Sequence, residues 1–555
     1  MNQKWVRLCC VCSFVLLATA LNLGQRPFAT ADTTLTQAFP YQAGFPRLEP
    51  RNSISFGSPA VVDLDGNGRL DLLSADGSGC VWAWDETGRL LPGFPLQTGG
   101  ACSGTPRISG PLAVGDVDGD GRLEIAAGTR GTGEAPGTRG RIFLWHADGT
   151  LVPGWPQEMA WNTQFGSGLP EVNSVAMANV AGNGRLEIIA GTSNNSSDGG
   201  DPEVDPTHNL YAFRADGSTL PGFPTQYRRA GIWGFVGAAD LDGDGYAEVL
   251  AGRDHYYAFA YSPQGTPMPG WPVEGLVDPD DTRGLIMEFT RDAPAMADLD
   301  NDGQIEIVIP GKVRDRRQNR EITNSAVLVL LPDGRRKPGW EVAKLGGAPL
   351  YDEYPPTQAP ALADLTGDGR LELVVPMLDG KIRAFEADGT LLWTYDLAAG
   401  ARLFATEPVI GDVTGDGRPD VLFGAYSPDH SANQRMGVYA LDRHGNLLPG
   451  FPLPLTHEAG ATRHGLRAAP TLTDLDNDCD VEIVAGSRGG VVYVWDLPAP
   501  YDPAHMPWPT ARHDFQRTGF VETAVGPWGM ETAVDLTQHA FLPLLRSPGG
   551  YQCSP

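Results

Sequence analysis

Cysteine, positive charge and long apolar runs are all scarce in this 555-residue chain. Of seven cysteines, Cys9, Cys10 and Cys12 sit in an N-terminal apolar stretch, so too few remain for a fold held mainly by disulfides. Lys and Arg number 41 against 68 Asp and Glu, a net charge of −27. That balance argues against a nucleic-acid partner and against an anionic membrane surface. The apolar run Leu8–Leu23 has no counterpart downstream, so no membrane span is expected once it is removed. Long amphipathic periodicity is missing too, as are a nucleophile elbow, paired catalytic acids and a phosphate loop.

The N-terminus has the order of a secretory leader: Lys4 and Arg7, the run Leu8–Leu23, then Ala29-Thr30-Ala31. Residues 1–31 are expected to be cleaved before Asp32, leaving a secreted or cell-surface protein. No lipoprotein box precedes the early cysteines. Cys80, Cys102, Cys479 and Cys553 remain, with three possible pairings. Cys80 and Cys102 are close in sequence and form the expected structural pair.

Gly (70) and Pro (47) are plentiful, as suits many short strands joined by tight turns. Eight acid-rich loops, each running into a short apolar strand, begin at Asp63, Asp116, Asn179, Asp240, Asp298, Asp364, Asp412 and Asp474, 48 to 66 residues apart. A period of that size signals a repeat architecture. Within a loop, positions 1, 3 and 5 carry oxygen-bearing side chains, position 6 is usually Gly and position 9 is a further acid. Alternate residues of a tight loop can converge on one hard cation, which wants six to eight oxygens. An EF-hand shares D-x-D-x-D-G but needs flanking helices and a Glu at position 12, whereas position 12 here is Ser74, Ala127 or Ile309 inside a β-run.

The calcium sets are therefore Asp63, Asp65, Asn67 and Asp71; Asp116, Asp118, Asp120 and Glu124; Asp240, Asp242, Asp244 and Glu248; Asp298, Asp300, Asp302 and Glu306; Asp364, Thr366, Asp368 and Glu372; Asp412, Thr414, Asp416 and Asp420; and Asp474, Asp476, Asp478 and Glu482. Loops two, four and five are complete, and the threonines of loops six and seven are weaker ligands. Loop three, with Asn179, Ala181, Asn183 and Glu187, is expected to be empty or weak. Loop eight keeps its acids but has Cys479 where Gly belongs, and a non-Gly residue at positive φ is costly.

Around each loop the order is constant: an alternating strand, the loop, a buried strand such as EIVIPG, a third strand such as AVLVLL, a turn, and a fourth segment. A GFP or GWP tripeptide in the fourth recurs at Gly44, Gly93, Gly154, Gly222, Gly270 and Gly450, with Glu341 replacing Pro after Gly339 and Leu392-Trp393 standing in the sixth unit. This predicts an all-β propeller of four-stranded antiparallel blades. The loops DLDGDGYAEVLAG and DVDGDGRLEIAAG resemble the FG-GAP (VCBS-type) repeats of the integrin alpha-chain propeller and its bacterial secreted relatives, over residues 37–520. The resemblance implies structural calcium between a blade's first and second strands; it carries neither an enzymatic activity nor a ligand with it. Integrin propellers have seven blades. Eight loops predict eight here, with seven as the alternative, the ring closing by donation of the N-terminal strand at Ala38–Pro46 to the last blade. Trp508–Gly519 resembles a capping segment, and 521–555 reads as a tail.

Function is expected on the face opposite the loops. There the joints between blades offer Trp161, Arg229, Trp233, Arg283, Arg291, Tyr351, Tyr354, His457 and His464. The expectation is a monomeric binding or adhesion module for an extracellular protein or glycan. The alternative is a polysaccharide-active enzyme resembling rhamnogalacturonan lyases, which also use calcium-studded eight-bladed propellers.

Overall fold

The computed structural model describes residues 38–521 except 49–52, 55–56, 103–105, 109, 132–138, 160–170, 194–206, 228–231, 233, 254–255, 290–292, 319–321, 351–358, 429–434 and 459–463. The expected leader and nearly all of the tail lie outside the described residues.

The strands form eight antiparallel sheets arranged as the blades of one propeller. Blade four is representative: Gly237–Ala239, Glu248–Arg253, Tyr257–Tyr261 and Val273–Glu274 pair in chain order. Second strands such as Asp71–Ala75 and Glu372–Pro376 are buried at every residue, because neighbouring blades cover both faces of each sheet. Their continuous apolar sequence has that cause. One core cluster joins Ala60, Leu73 and Val81 of blade one to Leu123, Ile125 and Trp145 of blade two. Blade five is enlarged, with Leu285–Glu288 pairing along an extended second strand, Glu306–Asp315.

Eight blades are present, not seven, and the ring closes as the sequence predicts. Blade eight supplies Thr471–Thr473, Asp480–Gly486 and Val492–Pro500. Its fourth strand comes from the N-terminal segment: Arg47 N–H donates to the Val492 carbonyl at 2.8 Å, Val492 N–H returns a bond at 3.0 Å, and Tyr41 bridges Trp495. The open edge of the last blade is thereby paired.

The recurrent GFP and GWP tripeptides join one blade to the next. At Gly270 (φ +86) a Cβ would lie 1.9 Å from the Asp333 carbonyl oxygen in the turn of blade five, so only glycine fits. The following Trp271 donates from Nε1 to the Pro332 carbonyl of that turn at 2.8 Å. Trp155 and Trp340 repeat the bond to the blades after theirs. Trp393 does the same in the sixth unit, where the glycine and proline are gone.

Residues 508–521 do more than cap a junction. They run within the ring against the first strands: Ile410, Leu472, Val114, Met177, Ala238 and Met296 each donate a backbone N–H to this segment. Arg517 adds bonds to the carbonyls of Leu112, Ser58 and Pro59. First strands or their approaches in seven blades are thus tied to one buried segment, which plugs the axis.

The Cys80–Cys102 disulfide forms as expected, with the cysteines 22 residues apart. Closing a loop of that size contributes about 3 kcal/mol. Cys80→Ser is expected to lose roughly that much, read as a lower denaturant midpoint with a slightly steeper slope, because the unlinked unfolded chain exposes more surface. Cys479 is disulfide-bonded as well, at φ +75, and Cys553 lies outside the described residues.

Candidate metal centres

Each acid-rich loop joins the first strand of a blade to the second, and the register is the same in all eight. The residue before the loop pairs with position 9: Val62 with Asp71, Gly115 with Glu124, Ala239 with Glu248, Thr473 with Glu482. The loop folds around position 1. In blade four, Asp240 Oδ1 accepts the N–H groups of Gly243 (2.8 Å) and Asp244 (3.1 Å), and Oδ2 accepts that of Gly245 (2.9 Å). Asp116 does the same in blade two. Asn179 accepts one such bond, from the Asn183 N–H, so loop three retains its turn with Glu187 as its only acid.

Position 9 is buried in every blade because it already belongs to the second strand. One oxygen accepts a loop N–H, as Glu248 does from Leu241 at 2.8 Å and Glu372 from Leu365 at 2.7 Å. The other oxygen faces the loop. Asp71 Oδ1, Glu306 Oε1, Glu372 Oε1 and Glu482 Oε1 are buried without a hydrogen-bond partner, as is Thr366 Oγ1, and of these Glu306 Oε1 has an ammonium 2.9 Å away. An unsatisfied buried acceptor costs about 1–3 kcal/mol, which a bound cation would offset. Asp63, Asp65 and Asp71 bring three oxygens within 4.8 Å of one another; so do Asp116, Asp118 and Asp120, Asp240, Asp242 and Glu248, and Asp298, Asp300 and Asp302. These clusters can hold metal ions and offer only oxygen donors, and in a further group His146 joins Asp118 and Glu124.

The electrostatics agree. Burial, reinforced by the acids of their own loops, pushes the carboxyls of Asp71 up to about 7, Glu248 and Asp420 to about 8, and Glu482 to about 10. Glu372 reaches about 9, with Glu386 adding to Asp364. In chelator these carboxyls stabilise the fold only while protonated. Their contribution is complete below their unfolded values near 4 and is lost as pH rises through 7 to 10. The metal-free protein should therefore show a urea midpoint that falls between about pH 5 and 8, and added cation should flatten that slope.

Three side chains outside the loops reach these acids, and the spacing analysis missed all of them. His146 Nδ1 lies 3.1 Å from Glu124 Oε1 at the end of the third strand of blade two. Gln42, from the donated strand, gives a hydrogen bond to Asp476. Lys337 Nζ lies 2.7 Å from Asp300 Oδ2 and 2.9 Å from Glu306 Oε1. Loop five is therefore not the free ligand set that its sequence indicates.

Of the residues expected on the opposite face, Trp161, Arg229, Trp233, Arg291, Tyr351 and Tyr354 lie outside the described residues. Arg283 is exposed. His457 and His464 have separate partners: His457 Nδ1 meets Thr456 Oγ1 at 2.9 Å, and His464 Nδ1 meets Glu458 Oε2 at 3.1 Å. Near His464, Arg467 and Arg488 lie over the buried ring of Tyr426.

A family profile, FG-GAP-like repeat, matches residues 63–127 and 364–423. The chain is an FG-GAP-like repeat protein that folds as an eight-bladed β-propeller. No curated protein matches its sequence. Among solved structures it is similar to the exotype rhamnogalacturonan lyase YesX, at 14% identity and a TM-score of 0.51, over 90% of this chain and 83% of that one. It is also similar to the Bacillus licheniformis rhamnogalacturonan lyase PL11, at 15% identity and 0.49, over 89% and 83%. The V. cholerae biofilm matrix protein Bap1 matches at 13% and 0.34, over 86% and 82%. At these identities the likeness is one of fold.

Proposed function

We propose that the protein is a secreted or cell-surface propeller whose blades are fastened by calcium and whose opposite face binds an extracellular protein or glycan as a monomer. The buried, unpartnered position-9 oxygens carry the metal reading, because they face loop carboxylates whose only other resolution at neutral pH is protonation. Calcium fits best, being a hard cation that accepts six to eight oxygens at flexible geometry. Carboxylates at positions 1, 3, 5 and 9 would hold it, and it would supply charge and cross-linking rather than chemistry.

The plug supports binding over catalysis. With the axis taken by residues 508–521, ligand recognition falls to the joints between blades, where loops on a rigid scaffold usually carry it. A second reading, a polysaccharide-active enzyme, draws on the His464–Glu458 contact beside Arg467, Arg488 and Tyr426, groups suited to an acidic sugar. Glycan-array binding and a pectin-lyase assay, each with calcium and with chelator, separate the two. Retained ligand without product release is the expected result, and turnover of a pectic substrate would overturn it.

A further inference from the structure

Six blades place one residue at the same point, just before the fourth segment, where its N–H donates to a third-strand carbonyl. These are Leu91 to Ala83, Val152 to Leu144, Leu220 to Ala212, Met268 to Ala260, Lys337 to Val329 and Leu448 to Ala440. Five of the six are apolar. Blade five alone has a lysine, and it is as buried as the others, 4% exposed against 3% for Leu220 and 9% for Met268. A lysine stem can fill an apolar slot, but its ammonium must then find partners.

The partners are the loop acids of its own blade. Lys337 Nζ sits 2.7 Å from Asp300 Oδ2 and 2.9 Å from Glu306 Oε1, positions 3 and 9 of loop five. Glu306 gives its other oxygen to the Leu299 N–H at 2.8 Å, as in the metal-ready loops. Asp298 likewise holds the turn through Asp302 N–H (3.0 Å) and Gly303 N–H (2.8 Å). The loop is built like the rest, and Asp298, Asp300 and Asp302 still converge, yet the oxygens of positions 3 and 9 already meet a positive charge. Calcium would need those oxygens at about 2.3–2.6 Å, in the space that the ammonium occupies. The two cations cannot share it.

We infer that Lys337 is a tethered cation that takes the place of the metal in loop five, so that this blade is fastened without calcium. The inference rests on the calcium reading of the other loops. It also accounts for the acids that loop five keeps: removing the metal without supplying a charge would leave Glu306 buried among carboxylates.

The test is Lys337→Met, which keeps the stem and adopts the residue type that blade four uses at this point. Calcium is counted by equilibrium dialysis on the full chain, with circular dichroism as the check on folding. The variant is expected to bind one more calcium per chain than wild type. Hydrogen exchange gives a second readout that needs no metal. In excess chelator, residues 298–306 of wild type should stay protected while 240–248 lose protection. In Lys337→Met the 298–306 segment should lose protection in chelator and regain it with calcium. Equal calcium counts in variant and wild type, with wild type binding several ions, would overturn the inference while leaving the calcium reading intact. If wild type binds none, the calcium reading fails instead, and unprotected 298–306 in wild type would then overturn the lysine's role as well.

Discussion

In excess chelator the protein is expected to melt roughly 10–20 °C below its calcium-loaded temperature. A ligand bound only by the native state at a hundredfold over its dissociation constant contributes about 2.7 kcal/mol per site. About five fastened loops therefore add up to a large share of a propeller's stability. The effect should be steepest at high pH, where carboxyls such as Glu248, held up to about 8 by burial and by the acids around it, ionise without a counter-charge. Differential scanning in calcium and in chelator at several pH values reads this directly. Superimposable melting curves would mean that the loops are acidic turns and nothing more.

Replacing Arg517 by methionine is expected to destabilise the protein by about 3–5 kcal/mol, the usual result of removing one member of a buried charged network. Arg517 is 1% exposed, and burial holds its guanidinium down to about 10, still charged at neutral pH. From the plug it donates to the carbonyls of Leu112 (2.9 Å), Ala511 (2.7 Å) and Ser58 (3.3 Å) and to Thr510 Oγ1 (3.1 Å). Methionine fills the volume but leaves these acceptors and the nearby Asp514 without their cation, while Glu407 keeps only Arg512. Chemical unfolding of Arg517→Met should show the loss; a change under about 1 kcal/mol would mean that the plug is held by its backbone bonds alone.

The repeat made the fold unusually legible. Position 9 pairs with the residue before each loop, so loop spacing and strand register are one fact seen twice, and the blade count followed from the loop count. The donated strand was readable because Gly44-Phe45-Pro46 matched the fourth segments of other blades without three strands before it. The role of that tripeptide was hidden. Its glycine is required by the turn of the next blade, as Gly270 is by Asp333, and a contact across blades leaves no mark within one repeat. The plug was legible only as a capping segment, since its full role depends on meeting seven blades at once.

The metal loops show the same division. Their acids are local and could be read from spacing, but Lys337, His146 and Gln42 reach them from the third strand, its turn or the far end of the chain. Lys337 did leave a signal, as the one charged residue at a point that is apolar in the five comparable blades. Aligning the turns, as well as the loops, brings it out.

The most direct measurement of the central claim is the number of calcium ions that the folded chain retains after exhaustive dialysis against trace calcium. Loops one, two, four, six and seven predict about five, all removed by chelator with a fall in melting temperature. Retention of one ion or none, by a chain that melts at the same temperature either way, would contradict it.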